Sequence, residues 1–411
     1  MRTLFVTILS YPLRGGTHLR NWQNINIMKQ MGSVGIFSVF NQDCQCEEKD
    51  GIELWYHYNL DKQSSFSQLI ERGLRLISRF GLRYYWAYVN NAAQQLEQVL
   101  HTFKPDIVIL EELGVHPYLS VVKKYPCRVI FDNHNVEGNL FKQIQCSGSD
   151  VRSWFKSKFH LSQIQSTEKT LAHKSDQIWV CSIDDKQLLK SLYGSIAPTY
   201  VVPNAIDISF YNDVRLGQFS LPESWEKNPH YFLYLGNYFH PPNQDAAQLL
   251  IEKIYPRLRE KFPNSRLLLV GSNPTEKMRE AAEKDPNIIV TGEVEDVRPY
   301  LAAASVMVVP LYKGGGTRFK ILEAFAAGCP VVSTTKGAEG LNSEDGVHLL
   351  LRDDVEGLTE GIIKIWSDAS LRERLVHNGY DLVQSNYSWD AVSHNVKLAL
   401  EDLLNHPQSN I

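Results

Sequence analysis

Short apolar runs rich in β-branched residues alternate with longer stretches of helical period along nearly the whole of this 411-residue chain. That alternation constrains the fold more than any other feature, because it fixes both the type and the order of the elements. The expected strands lie at 3–9, 35–40, 106–110, 128–132, 177–181 and 199–202, then at 231–235, 266–270, 288–290, 306–309, 331–333 and 347–350. A strand that is apolar throughout needs helices on both faces, which is the situation in a parallel sheet. The chain is therefore read as α/β, with two doubly wound domains in tandem. Pro203, Asn204, Pro222, Asn228 and Pro229 break the periodicity between them. The expected domains are 1–210 and 211–388, followed by a last helical stretch within 389–411, long enough to lie back across the first domain. In such an arrangement the strand ends of both domains can face one cleft, the usual ligand site.

Composition excludes several classes. Hydrophobic residues make up 43% and charged residues 21% of the chain, so neither disorder nor a membrane-embedded body is indicated. The net charge of −4 gives no case for nucleic acid as a partner. The halves differ: up to residue 210 there are 22 basic and 19 acidic side chains, against 20 and 27 beyond it. A mildly basic first half suggests a face for an anionic partner or surface. The six cysteines have no metal-ligand spacing, and no His-Glu-x-x-His, Asp-x-Asp or Cys-His cluster is present, so no metal cofactor is expected. No segment approaches the ~18 consecutive apolar residues of a membrane span. A cytoplasmic location is expected.

The most informative stretch runs from Pro310 through Gly314-Gly315-Gly316-Thr317-Arg318-Phe319-Lys320 to Glu323 and Ala324. A strand ends, three glycines follow, and a helix is expected to start near Thr317. Consecutive glycines let backbone N–H groups approach an anion, and the helix N-terminus adds about half a positive charge. Arg318 and Lys320 add two cations that oppose the helix dipole unless something negative binds there. Glu323 can accept hydrogen bonds from vicinal hydroxyls, as an acidic residue does for ribose in dinucleotide folds. The bland alternative is a solvated helix start with Glu323 paired to Lys320 at i,i+3.

Three other features are weaker. Gly15-Gly16 lies between the first strand and first helix, where such folds place a phosphate turn, but it equally suits a plain tight turn. His134, in Asp132-Asn133-His134-Asn135-Val136-Glu137, stands just beyond a strand end. There it can bond a sugar hydroxyl or move a proton, with Asp132 or Glu137 orienting its ring, or it can serve as a local turn cap. Arg72, Arg75, Arg79 and Arg83 fall at helical spacing opposite apolar residues and before an aromatic cluster. Such a helix can contact an anionic membrane surface or a lipid-linked acceptor, or it can be a core helix with a basic solvated face.

These motifs, taken in order, resemble family 4 of the GT-B glycosyltransferases, the "glycosyl transferases group 1" domain. The residues that carry the resemblance are Tyr234-Leu-Gly-Asn237 with Pro242-Asn243, then Leu269-Val-Gly271, then Thr291-Gly-Glu-Val-Glu-Asp296, and finally Gly316-Thr-Arg-Phe-Lys-Ile-Leu-Glu323 onward. Gly15-Gly16 with Arg20, Asp132 to Glu137, and Val202-Pro-Asn-Ala-Ile-Asp207 resemble landmarks of the family's first domain. The resemblance implies a GT-B fold: two Rossmann-like domains facing a central cleft, the first binding acceptor and the second binding donor, with a C-terminal helix crossing back.

It also implies that Glu323, as the second glutamate of an E-x7-E motif, holds the nucleotide ribose. Arg318 and Lys320 would be the diphosphate cations, with Gly15, Gly16, Gly236, Asn237, Gly315, Gly316 and Thr317 around the donor. Val294 would offer a main-chain contact to the base, and His134 would be the active-site histidine. The first glutamate of that motif is replaced here by Gly315, and the usual Arg and Lys after the first donor-domain strand are absent from 236–243. Arg318 and Lys320 are expected to supply that charge. The implied activity is retaining, metal-independent transfer of a sugar from a UDP- or GDP-sugar to a hydroxyl of a glycan or lipid-linked acceptor in cell-surface polysaccharide or glycoconjugate synthesis. Peripheral contact with the inner face of the plasma membrane would accompany it. The rival readings are a catalytically impaired scaffold of the same fold that binds a nucleotide or partner protein, and a sugar-nucleotide epimerase.

Overall fold

A computed structural model describes residues 1–8, 16–40, 51–60, 89–145, 151–220 and 230–405. The chain divides into two compact units, Met1–Pro203 with Ser393–Ile411, and Asn204–Val392. Each is built on one wholly parallel sheet.

In the first unit the strands are β1 (Arg2–Thr7), β2 (Ser33–Phe40), β3 (Ile52–Asn59), β4 (Ile107–Glu111), β5 (Arg128–Asn133), β6 (Gln177–Val180) and β7 (Thr199–Val201), in the spatial order β3-β2-β1-β4-β5-β6-β7. Val108, Ile109, Val129 and Ile130 have no exposed area, as strands covered on both faces require. Register places Glu111 of β4 opposite Asp132 of β5 at the carboxyl end of the sheet. The strand β3 was not expected from sequence. It lies at the edge and mixes Glu53, His57 and Asn59 with half-buried aromatic residues, so it lacks the continuous apolar run of its neighbours.

In the second unit the strands are β8 (Tyr231–Leu235), β9 (Arg266–Val270), β10 (Ile288–Val290), β11 (Val306–Val309), β12 (Val331–Ser333) and β13 (Leu350–Leu351), in the order β10-β9-β8-β11-β12-β13. The order reverses between β8 and β11, so the loops leaving these two strands flank the crevice where open parallel sheets bind ligands. Gly271, after β9, has φ 136°, and a Cβ there would lie 2.0 Å from the Gly236 carbonyl oxygen. Only glycine lets the loops after β8 and β9 approach so closely.

The units part at Pro203 and Ser393, not at the expected 210/211 and 388/389. The reason is local packing. Ile206 bridges to Ser388 and its N–H donates to the Tyr387 carbonyl at 2.9 Å, while Tyr211 is part of the second unit's core. The helix Trp389–Asn405 joins the first unit from Ser393 onward, where the Ala399 carbonyl accepts from Gln177 Nε2 at 2.7 Å. Arg72, Arg75, Arg79 and Arg83, and Gly15 of the expected phosphate turn, lie outside the described residues. Gly16 is the first residue of the helix Gly16–Lys29. Among the described residues no helix is long and apolar enough to cross a membrane.

Candidate functional site

The loop between β11 and the helix Phe319–Ala326, together with that helix, holds Gly315, Gly316, Thr317, Arg318, Lys320 and Glu323 of the expected site. The helix starts two residues later than expected, because Thr317 and Arg318 are drawn out: Arg318 is the N-cap, with φ −90° and ψ 100°. Gly314 and Gly316 take φ 124° and 70°, the left-handed region that a side chain would strain. Elsewhere in this unit Thr275, Asp354 and Asp368 cap their helices with a side-chain oxygen. Arg318 gives this helix no side-chain cap; its carbonyl takes the Ile321 N–H at 3.0 Å, which leaves the Phe319 and Lys320 N–H groups at the open end of the first turn. Thr317 is buried, and its Oγ1 lacks a hydrogen-bond partner.

The two cations behave differently. Arg318 folds back on its own loop, its Nη1 donating to the carbonyls of Gly315 and Gly316 (2.9 Å for the latter). The loop therefore presents carbonyl groups to its own arginine in addition to any N–H groups. Lys320 reaches across to the β8 side. Its Nζ donates to Asn243 Oδ1 at 3.3 Å and lies 4.0 Å from the centre of the Tyr234 ring. Asn243 is held in turn by Tyr234 Oη, which donates to Oδ1 at 2.6 Å, and by its own Nδ2, which donates to the Asn237 carbonyl at 2.8 Å. Burial, reinforced by the Arg318 charge and only partly offset by Glu323, lowers Lys320 to about 7. Among the described residues Lys320 makes no ion pair, and the expected alternative of a Lys320–Glu323 bridge does not form.

Glu323 instead accepts from Tyr211 Oη at 3.1 Å. Burial raises this carboxyl, and the Tyr211 hydrogen bond and the Lys320 charge only partly restore it. Gly236 and Asn237 follow β8; Asn237 Oδ1 accepts from the Phe239 N–H at 3.0 Å and from Asn273 Nδ2 at 3.1 Å. Val294 lies after β10, half-buried against the core. Sequence reasoning missed Tyr211 and the pairing of Tyr234 with Asn243 under Lys320, since the partners are far apart in the chain.

The first unit has its own polar cluster at the carboxyl ends of β4 and β5, centred on Asp132. Arg20 is 1% exposed; its Nη2 donates to Asp132 Oδ1 at 2.5 Å and its Nε to Oδ2 at 3.1 Å, while Nη1 donates to the Val202 carbonyl at 2.7 Å. Asn24 Nδ2 donates to Asp132 Oδ2 at 2.8 Å. Burial would raise Asp132, but Arg20 and His134 overcome it and hold the carboxyl near 2.

His134 has Nε2 3.0 Å from Asp132 Oδ2 and Nδ1 3.3 Å from Glu112 Oε1. Burial alone would lower the ring, yet these two carboxylates raise it to about 9, which favours an imidazolium at neutral pH, hydrogen-bonded through Nε2 to Asp132 and ion-paired through Nδ1 with Glu112. Asp132 orients the ring as expected; Glu137 does not, its Oε1 facing Asn135 Nδ2 at 3.5 Å. Glu112 takes φ 71° and ψ 165°, a conformation that costs a non-glycine residue about 1–3 kcal/mol and that marks functional sites. Next to it, burial and the Asp132 charge push Glu111 up to about 8.

Comparison with known proteins identifies the family and the fold. The family described as "Glycosyltransferase Family 4" matches residues 50–210 and that described as "Glycosyl transferases group 1" matches residues 229–368. The chain is 29% identical over 197 residues to a phosphatidyl-myo-inositol mannosyltransferase of Mycolicibacterium smegmatis, covering 47% of this chain and 49% of that protein. It is 31% identical over 133 residues to the capsular polysaccharide biosynthesis glycosyltransferase CapM of Staphylococcus aureus, covering 30% and 34% of the two chains. The matches thus span about half or less of these relatives. The crystal structure of Anabaena HepE in complex with UDP superposes with a TM-score of 0.66 at 14% identity, covering 98% of this chain and 100% of that one, and shows the shared fold. With one family match on each unit and the two together spanning most of its length, the chain belongs to the group 1, family 4 glycosyltransferases of GT-B fold.

Proposed function

We propose that this protein transfers a sugar from a nucleoside diphosphate sugar, a UDP- or GDP-sugar, to a hydroxyl of a glycan or lipid-linked acceptor in cell-surface glycan synthesis. The observation that carries the reading is Lys320: a half-buried ammonium with no carboxylate partner among the described residues, beside a helix N-terminus without a side-chain cap at the β8/β11 switch point. A pyrophosphate supplies a negative charge for Lys320 and acceptors at the helix N-terminus. The capsular and mannosyltransferase relatives favour a cell-surface product.

In the reaction the donor's C1–O bond breaks, and its electron pair goes to the β-phosphate oxygen. Lys320 and the helix N-terminus stabilise the charge that develops there, a preorganised electrostatic contribution. Arg318 assists once its guanidinium turns from the Gly315 and Gly316 carbonyls toward the phosphates. The acceptor oxygen bonds to C1 on the face the diphosphate leaves, and its proton passes to the departing phosphate oxygen, so configuration is retained. Glu323 holds the ribose diol. His134, charged at neutral pH, acts in this scheme as a fixed cation and hydrogen-bond donor, not as a base. With two side-chain cations at the leaving group the transfer needs no metal, and turnover is expected to persist in excess EDTA.

The test is a thermal-shift panel of UDP, GDP, ADP and their sugars. A ligand present at about 100 times its Kd adds about 2.7 kcal/mol of stability. One uracil or guanine nucleotide is expected to shift the melt and its sugar to be consumed when an acceptor is supplied; no shift with any of them would contradict the reading. Gly315, where the first motif glutamate would stand, favours a binding-only scaffold as the second reading. Binding without transfer or slow donor hydrolysis would select it.

A further inference from the structure

We propose that Tyr211 is a positioning residue for the nucleoside half of the ligand: its phenol takes one carboxylate oxygen of Glu323 and thereby presents the other to the ribose diol. This deepens, and rests on, the nucleotide reading of the helix Phe319–Ala326. The geometry is short and direct, with Tyr211 Oη donating to Glu323 Oε1 at 3.1 Å. A carboxylate with one oxygen so tied has one rotational setting, and a diol that must be met by two hydrogen bonds benefits from that restriction.

The segment bearing Tyr211 is itself fixed. Asn204 Nδ2 donates to the Thr317 carbonyl at 3.3 Å, within the anion loop. The Ile206 N–H donates to the Tyr387 carbonyl at 2.9 Å. Asp207 Oδ1 accepts the Ser209 N–H at 3.0 Å and starts the turn Ile208–Tyr211. Phe210 stacks under Arg298, whose guanidinium carbon lies 3.9 Å from the ring centre and which is held by Asp296 at 2.7 Å. The Tyr211 ring is 6% exposed and belongs to the core, so phenylalanine can replace it and remove the hydroxyl alone.

The charged and titratable groups around Glu323 are Tyr211 and Lys320, with Asp296 and Arg298 behind Tyr211. Burial pushes the carboxyl up and the phenol pulls it down, so losing the hydroxyl leaves Glu323 protonated to a higher pH. Only the carboxylate offers both oxygens as acceptors.

The test is calorimetric binding of UDP, with GDP in parallel, and of inorganic pyrophosphate, to wild type and Tyr211→Phe from pH 6 to 9. Pyrophosphate shares the titration of Lys320 and lacks the ribose. The variant is expected to bind the nucleotide about tenfold more weakly near pH 6.5, the loss of one hydrogen bond to a charged group. The gap should narrow toward pH 9 while pyrophosphate affinity stays unchanged. Equal nucleotide affinity at every pH, or a pH-independent loss shared with pyrophosphate, would overturn the role of Tyr211 while leaving the nucleotide reading standing. Wild type binding neither nucleotide nor pyrophosphate would overturn both.

Discussion

The polar clusters of the two units are built on opposite principles. In the first, one buried carboxylate, Asp132, gathers Arg20, Asn24 and His134, and Glu112 closes the far side of the imidazole. Each cation of this cluster meets a carboxylate of the same unit, although Asn24 Oδ1 and His134 Nδ1 lack a hydrogen-bond partner among the described residues. In the second, Lys320 rests on an amide oxygen and a ring face, Arg318 on backbone carbonyls, and Glu323 on a phenol. Among the described residues Lys320 makes no ion pair, and Glu323 meets a phenol instead of a cation. A lysine without a carboxylate is poised for an anionic ligand, whereas a set of paired charges fixes backbone geometry and, here, the protonation state of a histidine.

The largest effect should come from opening the closed cluster. Arg20→Ala leaves Asp132 buried and deprives it of its bidentate partner. Chemical denaturation is expected to show a loss of about 3–5 kcal/mol, the cost of breaking a buried pair by removing one side. A loss below about 1 kcal/mol would mean that Asn24 and His134 suffice, and the contrast between the clusters would weaken.

The pH dependence of stability sharpens the contrast next. His134 has a folded pKa near 9 against an ordinary 6.5, so its stabilisation is complete below pH 6.5 and is lost as pH rises through 9. Glu111, near 8 against 4.5, acts in the same direction between those values. Lys320, near 7 against 10.5, acts in the opposite one: its burial is penalised while it is charged, and stability returns as pH climbs from 7 toward 10.5. Each group contributes a slope of up to about 1.4 kcal/mol per pH unit. Melting curves between pH 7 and 9 should therefore fall more steeply in Lys320→Met than in wild type, and less steeply in Glu111→Gln. Parallel curves would show that the two clusters do not differ in charge compensation.

A smaller effect is expected at Asn243. Asn243→Ala removes the oxygen that anchors Lys320 and accepts from Tyr234, at a cost near 0.5–1.5 kcal/mol in pyrophosphate affinity, or a few-fold. Direct binding measurements would check this; unchanged affinity would place the useful position of Lys320 elsewhere.

Most strands were legible in the sequence, because runs such as Val306–Val309 and Leu267–Val270 have no polar position to mislead the reading, whereas the last expected strand, 347–350, meets the observed β13 only at Leu350. It failed at β3, where an edge strand needs only one good face and Ile52–Asn59 alternates accordingly. At the site, Lys320 and Glu323 were legible from their place after three glycines. Their partners were not: Tyr211 and Asn243 come from segments 112 and 77 residues away, and only the packed fold brings them together. The inward turn of Arg318 was equally hidden, since it depends on the left-handed conformations of Gly314 and Gly316. The strained backbone of Glu112 and its contact with His134 exist only in three dimensions.

The most direct test of the account is calorimetric titration of wild type and Lys320→Ala with the uracil or guanine nucleoside diphosphate that the thermal-shift panel selects. Wild type should bind it, and the variant should bind at least about 100-fold more weakly, a difference of about 2.7 kcal/mol, while melting at or above the wild-type temperature because a buried, unpaired ammonium has been removed. Wild-type affinity retained in a folded Lys320→Ala protein would contradict the assignment of this lysine, and with it the claim that the uncompensated charge in the second unit is there for a diphosphate.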